Sequence, residues 1–196
     1  GGNTSVKTFS ENLFGKKLSV LCVKGSGWDL ATIEPEGHPA VKLDPLIKLK
    51  ELDSLSDEDM VSIQRQNLIN PKSPNPSVET LLHAFLPYKF IDHTHSISIL
   101  SLADQPNSKE ICEKIYGDEI VIVPYVMPGF DLAKLASELH DEKSKKTKIK
   151  NKKLKGMILL KHGVFSFGDS AEESYNNMIE IVEKAEKAIP RKIDLN

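Results

Sequence analysis

The sequence contains little cysteine and arginine, and it has no long apolar run. Its two cysteines, Cys22 and Cys112, are too few for a disulfide framework in 196 residues and indicate small buried thiols in a reducing cytoplasm. No apolar stretch approaches the roughly 20 residues that a membrane-spanning helix needs. Arginine occurs only at Arg65 and Arg191. Because arginine is the usual bidentate ligand of phosphate, a phosphate site in this chain is expected to use lysine, hydroxyl or backbone amide groups.

A large net charge of either sign is also missing. The chain has 26 Lys+Arg and 28 Asp+Glu, a formal charge of −2 and a pI near 6.3, which exclude a globally basic nucleic-acid-binding protein and a polyacidic tail. Hydrophobic residues make up 39% and charged residues 28%, as in an ordinary folded domain. We therefore expect one domain over residues 1–196. The sequence begins at Gly1 without an initiator methionine, so we expect this domain to be incomplete at its N-terminus.

Short apolar runs alternate with capped or amphipathic segments along the chain. Strands are predicted at residues 18–23, 90–95 and 119–123, and as a pair at 156–160 and 164–167. Helices are predicted at residues 56–69, 77–86, 108–116 and 131–142, the first two beginning at the capping residues Ser56 and Ser77. The alternation of strands with helices indicates an α/β layered domain around a central sheet.

The last helix has the most complete signature. Ser170 followed three residues later by Glu173 forms a capping box. Apolar residues then recur at helical spacing on one predicted face, namely Tyr175, Met178, Ile179, Val182, Ala185 and Ile189.

One strong charge run interrupts this pattern. Residues 143–155 hold eight lysines, which are typical of a solvated loop between a helix and a strand. The alternative is that the run binds phosphate or an acidic partner. No aromatic residues alternate with the lysines, as a single-strand nucleic-acid binder would require, and we therefore favour the loop.

Two histidines, His93 and His95, are separated by one residue within a predicted strand. On a strand, side chains at i and i+2 project from the same face, so both imidazoles can reach one ion. A third histidine, His162, ends another predicted strand. Three histidines with an open fourth position are typical of catalytic zinc. An HxH pair alone is weak, because satisfied core or surface histidines are the commoner explanation.

Three further polar residues lie close to this pair in sequence. Glu79, at the start of a short predicted helix, is a candidate fourth ligand or general base, or only a partner of the helix dipole. His83 lies one turn later and is a competing ligand candidate, although packing or support of the site is favoured. Asp92 is a candidate for orienting an imidazole, or it faces solvent.

Six segments, taken in order, resemble the class II aldolase/adducin family. They are residues 2–7, 24–30, 76–79, 93–95, 125–129 and 162–163. The closest similarity is to the aldolase half of bacterial proteins that fuse a rhamnulose-1-phosphate aldolase to an alcohol or lactaldehyde dehydrogenase. The resemblance covers nearly the whole chain and implies a layered α/β/α fold with a central, largely antiparallel sheet.

The resemblance also implies a site and a reaction. A zinc ion, or another divalent cation, is expected to bind His93, His95 and His162, with Glu79 as an additional ligand and as the acid/base. The substrate is expected to be a ketose 1-phosphate that is cleaved to dihydroxyacetone phosphate and an aldehyde. The substrate phosphate is expected to bind at matching loop positions, namely Gly2, Asn3, Ser26, Gly27 and Ser77.

Tyr125 matches a family tyrosine that reaches a neighbouring subunit's active site and protonates the aldehyde-side oxygen. The resemblance therefore implies a homo-oligomer, of the cyclic tetramer type, with active sites between subunits. A tyrosine that closes a strand is the alternative. Neither nucleic acid nor a membrane is an expected partner.

Several features depart from the family pattern. Glu79 and His93 are 14 positions apart (93 − 79), closer than in the stand-alone aldolases. Val78 replaces a serine that precedes the family's glutamate and offers only its amide. No GxGxxG motif follows a predicted strand, so a dinucleotide-binding dehydrogenase half is absent from these residues.

Two rival functions remain open. Within the family, a sugar-phosphate dehydratase retains the glutamate, whereas the epimerases carry aspartate where Glu79 stands. Outside enzymes, an adducin-like interaction module would keep the fold without the chemistry. The complete histidine set counts against that module, because an interaction scaffold has no use for convergent ligands.

Overall fold

The computed structural model describes residues 2–149 and 153–189. The strands of this part of the chain are β1 (Asn3–Glu11), β2 (Lys17–Val23), β3 (Ala40–Lys42), β4 (Phe90–Thr94), β5 (Ile120–Val123), β6 (Gly156–Leu159) and β7 (Gly163–Gly168). The α-helices are α1 (Leu43–Lys48), α2 (Asp57–Gln66), α3 (Thr80–Phe85), α4 (Ile97–Ala103), α5 (Ser108–Tyr116), α6 (Phe130–Ile149) and α7 (Ala171–Ala188).

The strands form one sheet in the order β3-β2-β1-β4-β7-β6-β5. Neighbouring strands are antiparallel except for β5 and β6, which are parallel. Two buried clusters cover the two faces. One contains apolar residues of α1, α2, α3 and α6, and the other those of α4, α5 and α7. The expected α/β/α layering and largely antiparallel sheet are therefore confirmed.

Capping residues locate the helix starts well, but the helix ends differ from expectation. The Ser56 hydroxyl accepts a hydrogen bond from the Asp59 amide, as predicted, but α2 ends at Gln66 rather than at Ile69. Helix α3 begins at Thr80 with Glu79 at its N-cap position, and the Ser77 hydroxyl accepts from the Glu79 amide at 3.3 Å. Ser77 therefore lies in the turn before the helix.

Helix α7 begins with the predicted cap, although its buried face differs from the predicted one. The Glu173 amide donates to the Ser170 hydroxyl, while the Glu173 carboxylate accepts from the amide of Asp169, one residue before the cap. Tyr175 and Ile179 are exposed. Their assignment to the apolar face was wrong, because the helix packs on the sheet through Met178, Ile181 and Ala185.

The prediction of a loop at 143–155 was wrong for residues 143–149, which continue α6. The helix is supported by contacts of its lysines, one set with distant carbonyls and one within the helix. The Lys143 ammonium donates to the carbonyl oxygens of Gly117 and Ile120, and Lys146 pairs with Glu142 one turn earlier. Residues 150–152 lie outside the described residues. In the described ranges, no helix combines the length and hydrophobicity that crossing a membrane requires.

Strand β1 was missed by the sequence patterns and is central in the sheet. It pairs with β2 along its length and with β4 through its first residues, where Asn3 is opposite His93 and Ser5 is opposite Ile91. Because directly opposed residues share a face, the side chains of Asn3, Ser5 and His93 point to the side of the sheet covered by α3.

Lys7 follows on the same face of β1, where burial and the charge of Lys50 lower its pKa to about 7. Its ammonium donates to the carbonyl oxygens of Leu86 and Tyr88 after α3. In the unfolded chain the pKa of a lysine is about 10.4. Between the two values the unfolded chain binds more protons, so the free energy of unfolding should rise with pH in that window.

We therefore expect the free energy of unfolding to rise with pH between pH 7 and 9. The rise should be steeper in the unsubstituted protein than in Lys7→Met, by up to about 1 kcal/mol per pH unit. Chemical denaturation at several pH values measures the difference. Lys16→Met, in the exposed hairpin turn, is the matched control and should behave as the unsubstituted protein. Equal slopes for Lys7→Met and the unsubstituted protein would contradict this assignment.

Candidate metal centre

Three histidine side chains converge at one end of the sheet. His93 lies in β4, His95 follows that strand, and His162 lies in the turn between β6 and β7. Their ligand nitrogens all lie within 4.8 Å of one another, and the Nε2 atoms of His93 and His95 are 2.9 Å apart. His93 is buried and His95 is exposed, so the cluster opens to solvent on the His95 side. The three histidines named from the sequence therefore lie together.

A tight turn places His162. Leu159 pairs with Gly163 across the turn, and Lys161 adopts the left-handed conformation with φ 60°. This conformation costs a non-glycine residue about 1–2 kcal/mol. Two backbone hydrogen bonds support it, from the Lys161 amide to the carbonyl of Ala103 and from the His162 amide to that of Leu159.

Glu79 contributes a carboxylate to the cluster. Its Oε1 lies 3.0 Å from Nε2 of His162 and 3.3 Å from Nε2 of His93. Neither approach has hydrogen-bond geometry, so this buried oxygen has no hydrogen-bond donor among the described residues. Its Oε2 accepts a hydrogen bond of 2.6 Å from Nδ2 of Asn3. One carboxylate oxygen is therefore held, and the other faces the imidazoles.

The hydrogen bonds of His93 decide which of its nitrogens can bind a metal. Its Nδ1 lies 3.0 Å from the carbonyl oxygen of Val164, which can only accept. Nδ1 therefore carries the proton, and Nε2 presents a lone pair towards His95 and Glu79. The ring also stacks on Phe165 at 4.1 Å between centroids, which fixes its plane.

Burial and charge set the protonation states of the cluster in opposite directions. Burial lowers the pKa of His93 to about 4, against the attraction of the Glu79 charge, and burial also lowers the pKa of His95. Burial alone would raise the pKa of Glu79, but His162, His93 and the Asn3 amide outweigh it and lower that pKa to about 2. Near neutral pH, His93 and His95 therefore offer neutral imidazole nitrogens beside an ionised carboxylate.

Two glycines allow the backbone to approach the imidazoles. A Cβ on Gly163 would lie 2.6 Å from the carbonyl oxygen of Thr94, 2.9 Å from Cδ2 of His95 and 3.0 Å from Cε1 of His93. Gly2 has φ +113°, and a Cβ there would lie 2.3 Å from the carbonyl oxygen of His93. Neither position accommodates a side chain without displacing the ligands.

His83 and Asp92, which the sequence left open, lie on opposite sides of the sheet. His83 is buried, and its ring nitrogens contact Ser5 and Asn3 rather than the cluster. Burial lowers its pKa to about 3. Asp92 accepts hydrogen bonds of 2.6 Å from Thr4 and from Ser174 of α7. It therefore ties α7 to the sheet, and it neither orients an imidazole nor faces solvent alone.

The predicted phosphate-binding positions lie on two loops beside the start of β1. Ser26 and Gly27 are exposed, and the Ser26 amide is bound to the carbonyl of Asn75. A cavity of about 310 Å³ is lined by Gly2, Lys24, Gly27, Trp28, Asp29 and Leu30. The side chain of Asn3 is buried and contacts Ser77, Glu79 and His83. Its predicted contact with phosphate therefore competes with these partners.

Tyr125 lies in the loop that follows β5. It is 52% exposed, and its hydroxyl donates to the sulfur of Met127 at 3.0 Å. The described structure gives it no contact with the histidines of its own chain. This placement agrees with a residue that acts outside its own subunit, which stays a prediction.

The donor set fits a divalent transition-metal ion. Neutral imidazole nitrogens and a carboxylate are ligands that zinc accepts, and three protein histidines leave a position open for substrate. The lone pair on Nε2 of His93 faces Nε2 of His95 at 2.9 Å, where either a proton on His95 or a cation satisfies it. The buried Oε1 of Glu79 lacks a hydrogen-bond donor, a deficit that a cation would remove.

Comparison with known families agrees with this geometry. Residues 1–189 match the family model described as the Class II Aldolase and Adducin N-terminal domain. The chain belongs to the class II aldolase/adducin family. Members of this family are generally metal-dependent, which is consistent with the histidine cluster.

Two relatives are similar along nearly the whole chain. The N-terminal class II aldolase domain of a conserved protein from Thermoplasma acidophilum is 40% identical, with a TM-score of 0.86, over 97% of this chain and 84% of that one. Uncharacterized oxidoreductase YuxG of Bacillus subtilis (strain 168) is 42% identical over 195 residues, which are 99% of this chain and 27% of that protein. The chain thus spans about a quarter of YuxG.

More distant structures share the fold. An L-fuculose-1-phosphate aldolase from Thermus thermophilus has a TM-score of 0.58 at 18% identity, over 95% of this chain and 81% of that one.

We expect the unsubstituted protein to bind about one zinc ion per chain and His162→Ala to lose most of it, because one of three imidazoles is removed. Elemental analysis after dialysis measures the content. His38→Ala, a histidine outside the cluster, should retain the ion. Full metal content in His162→Ala would exclude His162 as a ligand.

Gly163→Ala should lower zinc affinity by tenfold or more, because the new methyl group would displace His93 or His95. Overpacking should also destabilise the protein by about 1–3 kcal/mol. Gly168→Ala, at the other end of β7, meets the backbone of α7 instead and is the matched control. It should lose stability without losing zinc affinity. Equal affinities in the two variants would contradict the steric argument.

Proposed function

We propose that this chain is the catalytic domain of a zinc-dependent aldolase that cleaves a ketose 1-phosphate, such as rhamnulose 1-phosphate, to dihydroxyacetone phosphate and an aldehyde. The proposal depends on one observation above all. His93, His95 and His162 present ligand nitrogens to one point, and the buried Oε1 of Glu79 faces that point without a hydrogen-bond donor.

The three histidines and Glu79 would bind the ion at the end of the sheet where β4 ends and the turn between β6 and β7 lies. A bound divalent cation supplies Lewis-acid polarisation of the substrate carbonyl and compensates negative charge that develops on the substrate oxygens. The site is open on the exposed His95 side. Substrate can therefore approach from solvent, while the buried His93 anchors the opposite side of the cluster.

Glu79 is proposed to carry the proton that completes the reaction. In cleavage, the hydroxyl proton leaves the aldehyde-side oxygen, the adjacent carbon–carbon bond breaks, and a proton must reach the carbon of the dihydroxyacetone phosphate half. Oε1 of Glu79 is the only cluster group that is anionic near neutral pH and is unrestrained by a donor. Oε1 would take up a proton from solvent on the open side of the site and deliver it to that carbon, while Asn3 keeps its hydrogen bond to Oε2.

The substrate phosphate is proposed to bind in the cavity beside Gly2 and Gly27. Gly27 and Lys24 line this cavity, and backbone amides and ammonium groups can bind phosphate without arginine. Ser77 adds a hydroxyl from the loop before Glu79. Asn3 can contribute only if its side chain leaves Glu79.

Tyr125 is proposed to serve the site of a neighbouring subunit, with a homo-tetramer as the assembly. Its half-exposed ring, next to the exposed side chain of Met127, supports this role, because exposed apolar side chains favour an interface. In cleavage the Tyr125 hydroxyl would relay a proton: its oxygen accepts the proton of the aldehyde-side hydroxyl while its own proton passes to solvent. In the reverse direction it donates its proton to the aldehyde oxygen and takes one back from solvent.

The phosphoketose class is supported by the fold relative named L-fuculose-1-phosphate aldolase. The oxidoreductase name of YuxG indicates a second function, which we propose lies in parts of such longer proteins outside these residues. No GxGxxG motif occurs in the 196 residues. A dehydratase of the same family is the second candidate, because it also retains a glutamate at the position of Glu79.

Glu79→Gln should retain about one zinc per chain and lose kcat by about 10²–10⁴-fold, because the amide keeps the shape of the carboxylate but cannot carry the proton. Metal analysis and product assays with rhamnulose 1-phosphate and fuculose 1-phosphate measure both. Glu58→Gln, on the exposed face of α2, is the matched control.

The outcomes separate the candidates. Dihydroxyacetone phosphate as product supports the aldolase, and loss of water without carbon–carbon cleavage supports the dehydratase. Unchanged turnover in Glu79→Gln would mean that another group carries the proton. A protein that neither contains nor takes up metal would instead support an adducin-like interaction module.

A further inference from the structure

A series of hydrogen bonds between buried side chains lies behind the candidate metal centre and ends at the carboxylate of Glu79. His83, in α3, contacts Ser5 and Asn3 of β1 through its two ring nitrogens. Asn3 in turn contacts Glu79. His83 is completely buried, and its ring packs edge-on against Phe165 at 5.4 Å between centroids. It touches neither the histidine cluster nor the solvent, so it cannot be a ligand of the cluster as placed.

The orientation of the Asn3 amide follows from its partner on the other side. Nδ2 of Asn3 donates to Oε2 of Glu79 at 2.6 Å, where the carboxylate oxygen is the acceptor. The same nitrogen also donates to the Ser77 hydroxyl at 3.1 Å. The amide oxygen of Asn3 must therefore face His83. A reversed amide would set two acceptors against each other at a hydrogen-bond distance.

This orientation decides the tautomer of His83. Since the Asn3 oxygen only accepts, Nε2 of His83 must carry the proton and donate it. Nδ1 of His83 then has a lone pair, which accepts from the Ser5 hydroxyl at 2.7 Å. Each group thus donates to the next in one direction: Ser5 donates to His83, His83 to Asn3, and Asn3 to Glu79. It is the opposite tautomer to that of His93, where Nδ1 donates to Val164.

We infer that His83 is a positioning residue for the acid/base of the site: by donating from Nε2 to Asn3, it fixes the Asn3 amide so that this amide holds one oxygen of Glu79 and leaves the other free. The inference rests on the proposed function, in which Glu79 carries the proton. Without the His83 donor, the amide of Asn3 could rotate and present its oxygen to Glu79. The carboxylate would then be repelled from its position beside His93 and His162.

A structural role alone would make His83 an ordinary buried histidine, and the chain offers one for comparison. His140 in α6 is also buried, is hydrogen-bonded to Tyr88 at 2.9 Å and packs edge-on against Phe167. Its partners are Tyr88 and Asp141, outside the metal centre. Replacing His140 should therefore reproduce the loss of packing without any effect on Glu79.

The first test is spectroscopic and needs neither metal nor substrate. Nitrogen and carbon NMR of the imidazoles in the metal-free protein at neutral pH should show the Nε2–H tautomer for His83 and the Nδ1–H tautomer for His93. The Asn3 side-chain amide should give a resonance typical of a hydrogen bond to a carboxylate. That resonance should be lost in His83→Leu and kept in His140→Leu. An Nδ1–H tautomer at His83, or an Asn3 resonance indifferent to His83→Leu, would overturn the inference.

The second test is kinetic. His83→Leu should lower kcat by about 10–100-fold, with KM within about threefold and zinc content unchanged. His83→Gln, whose amide can donate where Nε2 stands, should recover kcat to within about threefold. His140→Leu should lower the melting temperature while kcat stays within about twofold. A His83→Gln variant as slow as His83→Leu, or a His83→Leu loss found entirely in zinc content, would overturn the inference.

The two tests also separate the inference from the proposed function. If the unsubstituted protein binds zinc but cleaves no ketose 1-phosphate, the proposed function fails, and the tautomer of His83 and the Asn3 resonance still decide the inference. If His83→Leu does not fold, the tautomer in the unsubstituted protein and the kinetics of His83→Gln decide it. An Nε2–H tautomer together with active His83→Gln supports it.

Discussion

The register of β4 with its two neighbours is the constraint on which the metal centre depends. Asn3, His93 and Phe165 lie directly opposite one another across three antiparallel strands, so their side chains share one face. A slip of one residue would turn His93 away and bring Asp92 to this face. Asp92 instead binds Thr4 and α7 on the other side, so the same register that presents the imidazole also attaches a helix to the sheet. Correct pairing is therefore favoured from both faces at once.

Burial affects the protonation of both the basic imidazoles and the acidic carboxylate in this cluster. Burial disfavours the charged form of every group, which keeps His93 neutral, as a metal ligand must be. Glu79 stays ionised because the two nearest imidazoles and the Asn3 amide compensate its charge. Without a cation, the buried Oε1 of Glu79 has no hydrogen-bond donor among the described residues, and Nε2 of His93 relies on a proton from His95. A cation bound there would satisfy both groups, and the strand, the tight turn and the helix start that carry them hold the four side chains close together.

Local signals in the sequence predicted the parts of the fold that local forces determine. The Ser56 and Ser170 caps and the HxH pair were found because hydrogen bonds and side-chain direction within a few residues specify them. Strand β1 was not found, since the residues that it buries at its start, Asn3 and Ser5, are polar and give no apolar alternation. The helical state of residues 143–149 depends on lysine contacts with distant carbonyls. The link from His83 to Glu79 passes through Asn3, and no sequence pattern shows that β1 and α3 meet.

The site separates into a part carried by regular structure and a part carried by loops. The proposed metal ligands occupy the end of a strand, a tight turn and the start of α3, where hydrogen bonds and close-packed glycines leave little freedom. The groups proposed for substrate lie elsewhere, on the loops around Ser26 and Ser77 and after β5. A fold relative at 18% identity retains the architecture, which is expected if the sheet must preserve its register while loops can vary. In the proposed function, metal binding would then depend on the sheet, and the choice of substrate would depend on the loops and on the proposed neighbouring subunit.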